Sequence, residues 1–291
     1  MADREPVISL NEVVKSFDGR VVLAGVTFDV FPGETVVIMG GSGCGKSTLL
    51  RMIVGNVRAD SGSIHMLGED VTGATDEALN ELRRKFGVLF QSGALFNSMD
   101  IAQNVALPLR EHSTLDPATI DIMVKIKLEL VNLREHADKF PAQISGGMKK
   151  RAGLARALAL DPRILFYDEP SAGLDPVTSA EIDQLMIDLS KKLGVTSVVV
   201  THEMDSAFAI ADRMVMLDKG RVLAVEDRSW FERLRDTDGE LSEDEALIRQ
   251  FLCGAAEGPI TERKQTTSYT EDLLGETAEP LTDGPSVVAT R

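Results

Sequence analysis

Cysteine is almost missing from this chain: Cys44 and Cys253 are the only two in 291 residues. Two thiols build no disulfide framework, which fits a reducing compartment. Positive charge is also short. Lys and Arg number 31 against 46 Asp and Glu, a formal net charge of −15, whereas a dedicated nucleic-acid binder carries a basic footprint. Lys149-Lys150-Arg151 is a local exception. No run approaches 18 consecutive apolar residues, so no segment is expected to span a membrane. The opening MADREPVISL is charged from its third residue and lacks a basic stretch followed by an apolar one, so no signal peptide is expected. No internal repeat is seen. What is present is ordinary for a globular protein, 43% apolar and 26% charged, at a length that affords a sizeable core.

The apolar residues fall into two patterns. In VTFDVF, Val26, Phe28 and Val30 alternate with Thr27 and Asp29, and GSIHML (62–67) alternates more weakly. Both predict half-buried, antiparallel strands. TVVIMG (35–40), RILFYD (163–168) and TSVVVTH (196–202) are solidly apolar, as parallel strands buried on both faces are. A mostly helical stretch is expected over about 77–160. Within it Asp116 reads as an N-cap with Pro117 at the first helical position. IADRMVMLDKGRVLAVED (210–227) reads as strand, turn at Asp218-Lys219-Gly220, and return strand. A C-terminal helix is expected over about 228–253, closing a domain of residues 1–253. Residues 254–291 are small, polar and acidic and read as a flexible tail.

Two motifs carry chemistry. GGSGCGKST (40–48) matches G-x-x-x-x-G-K-[ST] and lies between an apolar strand and a helical stretch. Such a loop turns successive backbone N–H groups toward phosphate oxygens, with the helix N-terminus adding its dipole. Gly40, Gly41, Ser42, Gly43, Cys44, Gly45, Lys46, Ser47 and Thr48 form the candidate cradle. Lys46 reaches the β- and γ-phosphates, and Ser47 ligates Mg²⁺. ILFYDEP supplies the second part. Asp168 ends a buried strand as a Mg²⁺ partner, and Glu169 follows it, placed to polarise a water as general base.

A third stretch, ISGGMKKRAGLARAL (144–158), opens a helix. Ser145 serves as its N-cap, and two glycines follow at an entropic cost that needs a reason.

These elements, in this order, resemble the nucleotide-binding subunits of ABC transporters over about residues 7–225. The resemblance implies a P-loop α/β fold: a mixed-sheet core, an antiparallel β subdomain, and a helical subdomain inserted at about 92–160. It implies ATP and Mg²⁺ as cofactors and further site residues. Phe17 stacks on adenine. Gln91 senses Mg²⁺ and the catalytic water and begins the segment that meets the membrane subunit. Ser145, Gly146 and Gly147 form a signature that meets the γ-phosphate held by a second subunit. Asp175, in SAGLDP (171–176), belongs to the loop crossing the dimer interface, and His202 is the switch histidine touching the γ-phosphate. The single chain is then catalytically incomplete and works as a homodimer.

Met148 stands where the family signature has glutamine. With that methionine, SGGMKKRAGLARALALDP (145–162) is similar to the ATPases of MCE-type lipid transport systems, the Mla system among them, and VLFQSGALFNSMDIAQNVALPLREH (88–112) is similar to the same group. This implies an integral permease and an MCE substrate-binding protein as partners, no nucleic acid, and a peripheral place on the cytoplasmic face of the inner membrane. An importer ATPase for a polar solute is the alternative within the class. A soluble ABC protein of translation or repair is a more distant one, disfavoured by a single P-loop and no sustained heptads.

Overall fold

The polypeptide builds two sheets, and the alternation seen in the sequence assigns their layers. The structure, a computed structural model, describes residues 4–237 and 239–261. They divide into two compact units, one through Asp236 and one from Thr237.

In the first unit, β1 (Ile8–Phe17) pairs antiparallel with β2 (Arg20–Val30). After β3 (Thr35–Met39) and α1 (Lys46–Ile53), β4 (Ser61–Met66) joins the other side of β1, and β5 (Glu69–Asp70) completes the order β2-β1-β4-β5. Val26, Phe28 and Val30 face the core as their alternation requires.

The chain continues through α2 (Asp76–Arg83), β6 (Phe86–Leu89), α3 (Ile101–His112), α4 (Pro117–Leu130) and α5 (Gly146–Ala157). It then runs through β7 (Ile164–Asp168), α6 (Pro176–Leu193), β8 (Thr196–Val200), α7 (Met204–Ile210), β9 (Arg213–Asp218), β10 (Arg221–Asp227) and α8 (Arg228–Arg235). The second sheet has the order β10-β9-β3-β8-β7-β6, parallel except for the β9–β10 hairpin. Every residue of β3 and β8 is buried, as a strand covered on both faces demands. Phe166 of β7 meets Phe86 of β6 edge to face at 5.3 Å.

Asp116 caps α4, accepting from Ala118 and Thr119 backbone N–H groups, with Pro117 at the first position. The expected helical stretch from 77 is broken by β6. Four residues are too few to show a period, and FGVL gains strand identity only from its parallel pairing with β7.

The expected single helix over 228–253 is two helices. α8 ends at Arg235, and in the second unit α9 (Glu243–Cys253) starts afresh, with Ser242 and Glu245 forming a capping box. The chain beyond α9 stays held through Thr261: Gln250 Nε2 donates to Ala255 O at 3.1 Å, and its Oε1 accepts from Ile260 N at 2.6 Å. Most of the tail expected from residue 254 lies outside the described residues.

Candidate nucleotide site

Strand order places the chemistry. Parallel strands β6, β7, β8, β3 and β9 end on one edge of the sheet, the edge where open α/β sheets bind ligands. Off those ends come Gln91 after β6, Asp168 and Glu169 at and after β7, His202 after β8, the 40–48 loop after β3, and the Lys219-Gly220 turn after β9.

The loop is fixed by packing as well as by conformational freedom. A Cβ on Gly40 would lie 2.1 Å from Leu217 O, and one on Gly45 would lie 2.7 Å from Leu23 Cδ2 and 3.0 Å from Val22 O. Gly220 N donates to Cys44 O at 3.0 Å and Gly220 O accepts from Ala24 N at 2.9 Å, so the β9–β10 turn ties the loop to β2. Around Gly41 and Gly43 nothing lies within 4 Å of a would-be Cβ. Lys46 is buried, and its Nζ donates to Gly40 O at 2.7 Å and Gly41 O at 3.1 Å. Cys44 is buried beside it, and burial pushes its thiol pKa up, which marks a packing residue and not a nucleophile. Ser47 faces solvent at the start of α1.

Glu169 is the most constrained side chain of the group. Its backbone takes φ 50°, a left-handed conformation unusual outside glycine. Its N–H donates to Val200 O at 2.9 Å, and its C=O accepts from Lys150 Nζ at 2.9 Å. Its Oε1 is hydrogen-bonded to His202 Nδ1 at 2.8 Å, while Oε2 is buried with no partner among the described residues. A buried carboxylate oxygen left unpaired is costly unless something else meets it. Next to it, burial first and the Glu169 charge second raise the Asp168 pKa, with Arg51, Lys150 and Lys46 pulling the other way. Two adjacent acids under desolvation favour a cation between them. The donors at hand, Asp168 carboxylate, Ser47 hydroxyl and Gln91 amide oxygen, are the hard oxygens that suit Mg²⁺. Gln91 and His202 are exposed, free to meet a ligand.

Phe17 sits at the β1–β2 turn, 46% exposed, with Lys15 Nζ 5.2 Å over its ring. An exposed ring on a turn is available for stacking.

The signature stands apart from this row. Ser145 caps α5, its Oγ accepting from Met148 N at 3.3 Å. Gly146 is exposed, and a Cβ there would make an ordinary 3.4 Å contact with Leu174 Cδ2. Gly147 is buried, and its Cβ would meet Thr178 Cγ2 at 2.5 Å, so this glycine is needed for α5 to pack on α6. Asp175 caps α6: it accepts from Val177 N and Thr178 N, each at 3.1 Å, and from Thr178 Oγ1 at 2.5 Å. Those bonds, the hydroxyl first, lower its pKa.

Sequence reasoning missed three participants. Lys150 had appeared only within a basic triplet. Arg156 donates to Gly93 O at 3.1 Å and Ala94 O at 2.7 Å, clamping α5 to the loop after Gln91. The β9–β10 turn braces the phosphate loop. Spacing along the chain gives no hint of any of these contacts.

A family profile described as ABC transporter matches residues 23–172. The probable ribonucleotide transport ATP-binding protein mkl of Mycobacterium leprae is 41% identical over 267 residues, covering 91% of this chain and 74% of that protein. The intermembrane phospholipid transport system ATP-binding protein MlaF of Escherichia coli K12 is 37% identical over 268 residues, covering 92% and 96%. Among solved structures, the dimeric ATP-binding cassette MJ0796 bound to ADP and Pi superposes with TM-score 0.70 at 31% identity, over 76% of this chain and 98% of that one. CbiO1 of Clostridium perfringens, part of the cbiONQ transporter complex, gives 0.74 at 28% identity, over 80% and 94%. With this family match, these relatives and this fold, the chain belongs to the ATP-binding subunits of ABC transporters and is an ATPase.

Proposed function

We propose that this chain drives a transporter moving phospholipid or another hydrophobic substrate between membranes. It works as a homodimer on the cytoplasmic face of the inner membrane, beneath an integral permease and an MCE substrate-binding protein. The observation carrying the hydrolytic half is Glu169: one carboxylate oxygen is held by His202 and the other is buried with no partner among the described residues. That oxygen accepts the proton of the attacking water. Lys46 exchanges the Gly40 and Gly41 carbonyls for the β- and γ-phosphate oxygens of ATP, and Phe17 stacks on the adenine. His202 uses Nδ1 on Glu169, so Nε2 is the ring nitrogen that can turn to the γ-phosphate. Ser47, Asp168 and Gln91 would hold a Mg²⁺ ion, which would supply neutralisation of the charge on the transferring phosphoryl group. The exposed Ser145 and Gly146 of one subunit, with the α5 N-terminus behind them, face the phosphate bound by the other. Asp175, capping α6 beside that signature, shapes the loop at the dimer seam.

The hydrophobic substrate rests on the phospholipid-transport relative, matched across 96% of its length, together with Met148 and the 88–112 stretch. The reading as a polar-solute importer has two relatives for it: the probable ribonucleotide transport protein mkl, 41% identical and matched over 74% of its length, and a methionine import ATP-binding protein of Brucella abortus, 41% identical but matched over only 62% of its length.

Glu169→Gln removes the base and keeps the shape, so ATP should hold the variant as a stable dimer in size-exclusion chromatography. A variant that stays monomeric with ATP, beside a parent whose specific activity ignores protein concentration, refutes the shared site. Tagged chain purified from host membranes should bring a permease and an MCE-domain protein; a polar-solute permease in their place refutes the substrate class.

A further inference from the structure

Lys150 is a buried cation at the sheet edge that the nucleotide chemistry described so far does not use. It lies one turn inside the signature helix and is 5% exposed. Burying an ammonium is costly unless it is paired and hydrogen-bonded. Burial lowers its pKa, while the charges of Asp168, Glu169 and Glu203 pull it back up. Its Nζ is directed at one backbone carbonyl, that of Glu169, at 2.9 Å. That carbonyl belongs to the residue in left-handed backbone, whose N–H is already pinned to β8 and whose side chain is pinned to His202. The Lys150 bond fixes the peptide unit on the other side of the Glu169 Cα and so the direction in which the Glu169 carboxylate leaves the strand.

The rest of α5 is held just as tightly. A Cβ on Gly153 would lie 2.9 Å from Gly93 O, and one on Gly93 would lie 2.9 Å from Lys149 O. With the Arg156 bonds to Gly93 and Ala94, α5 touches the loop after Gln91 at one end, Glu169 in the middle, and carries Ser145 at its start.

We propose that Lys150 is a positioning residue for ATP hydrolysis: through the Glu169 carbonyl it sets the register between the signature helix and the carboxylate that activates water. The inference rests on the reading of Glu169 as that group. Lys150 touches no substrate; its effect falls on the hydrolytic step and not on nucleotide binding.

The test uses the full-length chain with Lys150→Met, which keeps volume and removes the donor, and Lys150→Arg, which keeps cation and donor. We expect Lys150→Met to lower kcat about tenfold or more with KM for ATP within about twofold, and Lys150→Arg to return kcat to within about threefold of the parent. In a Glu169→Gln background Lys150→Met should lower the residual rate no further, because the two act as one unit. The proposal is overturned by a kcat within about twofold of the parent, by loss shared equally between kcat and ATP affinity, or by an undiminished effect of Lys150→Met in the Glu169→Gln background. If Lys150→Met does not fold, Lys150→Gln, which is polar but shorter, takes its place with the same outcomes. A Glu169→Gln variant that hydrolyses at the parental rate would sink the reading of Glu169 instead, and it is scored before Lys150 is touched.

Discussion

Replacing each signature glycine by alanine should separate two reasons for a glycine. At position 147 the reason is internal. The new Cβ would sit 2.5 Å from Thr178 Cγ2, and Thr178 cannot simply rotate away. Its Oγ1 donates to Asp175 Oδ2 at 2.5 Å, and its N–H is tied to Asp175 Oδ1 at 3.1 Å. Either the rotamer changes and a hydrogen bond of about 1 kcal/mol is lost, or α5 and α6 separate, an overpacking cost of about 1–3 kcal/mol. The helix propensity gained from Ala is at most about 1 kcal/mol and less in a first turn. The net expected for Gly147→Ala is a loss of about 1–2 kcal/mol, or roughly 2–8 °C in Tm for a domain of this size. At position 146 the Cβ meets only the flexible end of Leu174 at 3.4 Å, so Gly146→Ala should keep its Tm. It should nevertheless lose ATPase activity, because under the proposed function Gly146 faces the partner's nucleotide. Thr178→Ser deletes the offending methyl and keeps the hydroxyl, so Gly147→Ala/Thr178→Ser should recover most of the lost Tm. Thermal unfolding and phosphate release at protein concentrations above dimerisation read all three variants. A Gly147→Ala protein as stable as the parent, or a double variant no more stable than Gly147→Ala alone, refutes the packing argument; a fully active Gly146→Ala refutes the partner-facing one.

Two further outcomes follow from exposure and charge. Phe17→Ala removes a ring that is 46% exposed, so unfolding free energy should change by no more than about 0.5 kcal/mol while KM for ATP rises severalfold; an unchanged KM refutes stacking. Asp168 has a folded pKa raised above its unfolded value by burial and by Glu169. Its charged form is therefore disfavoured in the fold, a cost present above the folded pKa and gone below the unfolded one. Asp168→Asn should raise Tm near neutral pH, with the gain vanishing as pH falls below the ordinary carboxylate range, even as hydrolysis is lost. A gain that grows on acidification has the wrong sign.

Much of the fold could be read in the sequence where physics acts locally. β3, β7 and β8 announced themselves as unbroken apolar runs because both their faces are covered. Asp116-Pro117 announced a helix start because the cap and the fixed φ are properties of those two residues alone. β6 was illegible: four residues carry no period, and its strand identity is lent by β7. The break between α8 and α9 was hidden in a stretch whose charged residues suit a helix and a loop alike, until the Ser242–Glu245 box is seen to restart the helix.

The site divides along the same line. The phosphate loop, Asp168 and Glu169 were legible because each motif sits at a strand end and the chemistry fixes the residue types. Gly147 was legible as a glycine but not for its reason. Thr178, which excludes a side chain there, lies 31 positions away on α6 and leaves no mark on the signature itself. Lys150 is the sharper case. In sequence it is the middle of a basic triplet, and a basic triplet is usually a solvated face. Only the fold shows that its neighbour Arg151 pairs outward with Glu181 at 2.7 Å while Lys150 turns in to hold Glu169. Adjacent residues on a helix diverge by about a hundred degrees, so one triplet can pair with Glu181 and hold Glu169 at once. If Ser145, Gly146 and Lys150 act as proposed, the signature helix has two outputs: its first turn meets the nucleotide of the other subunit, and its second turn sets the base for the nucleotide of its own.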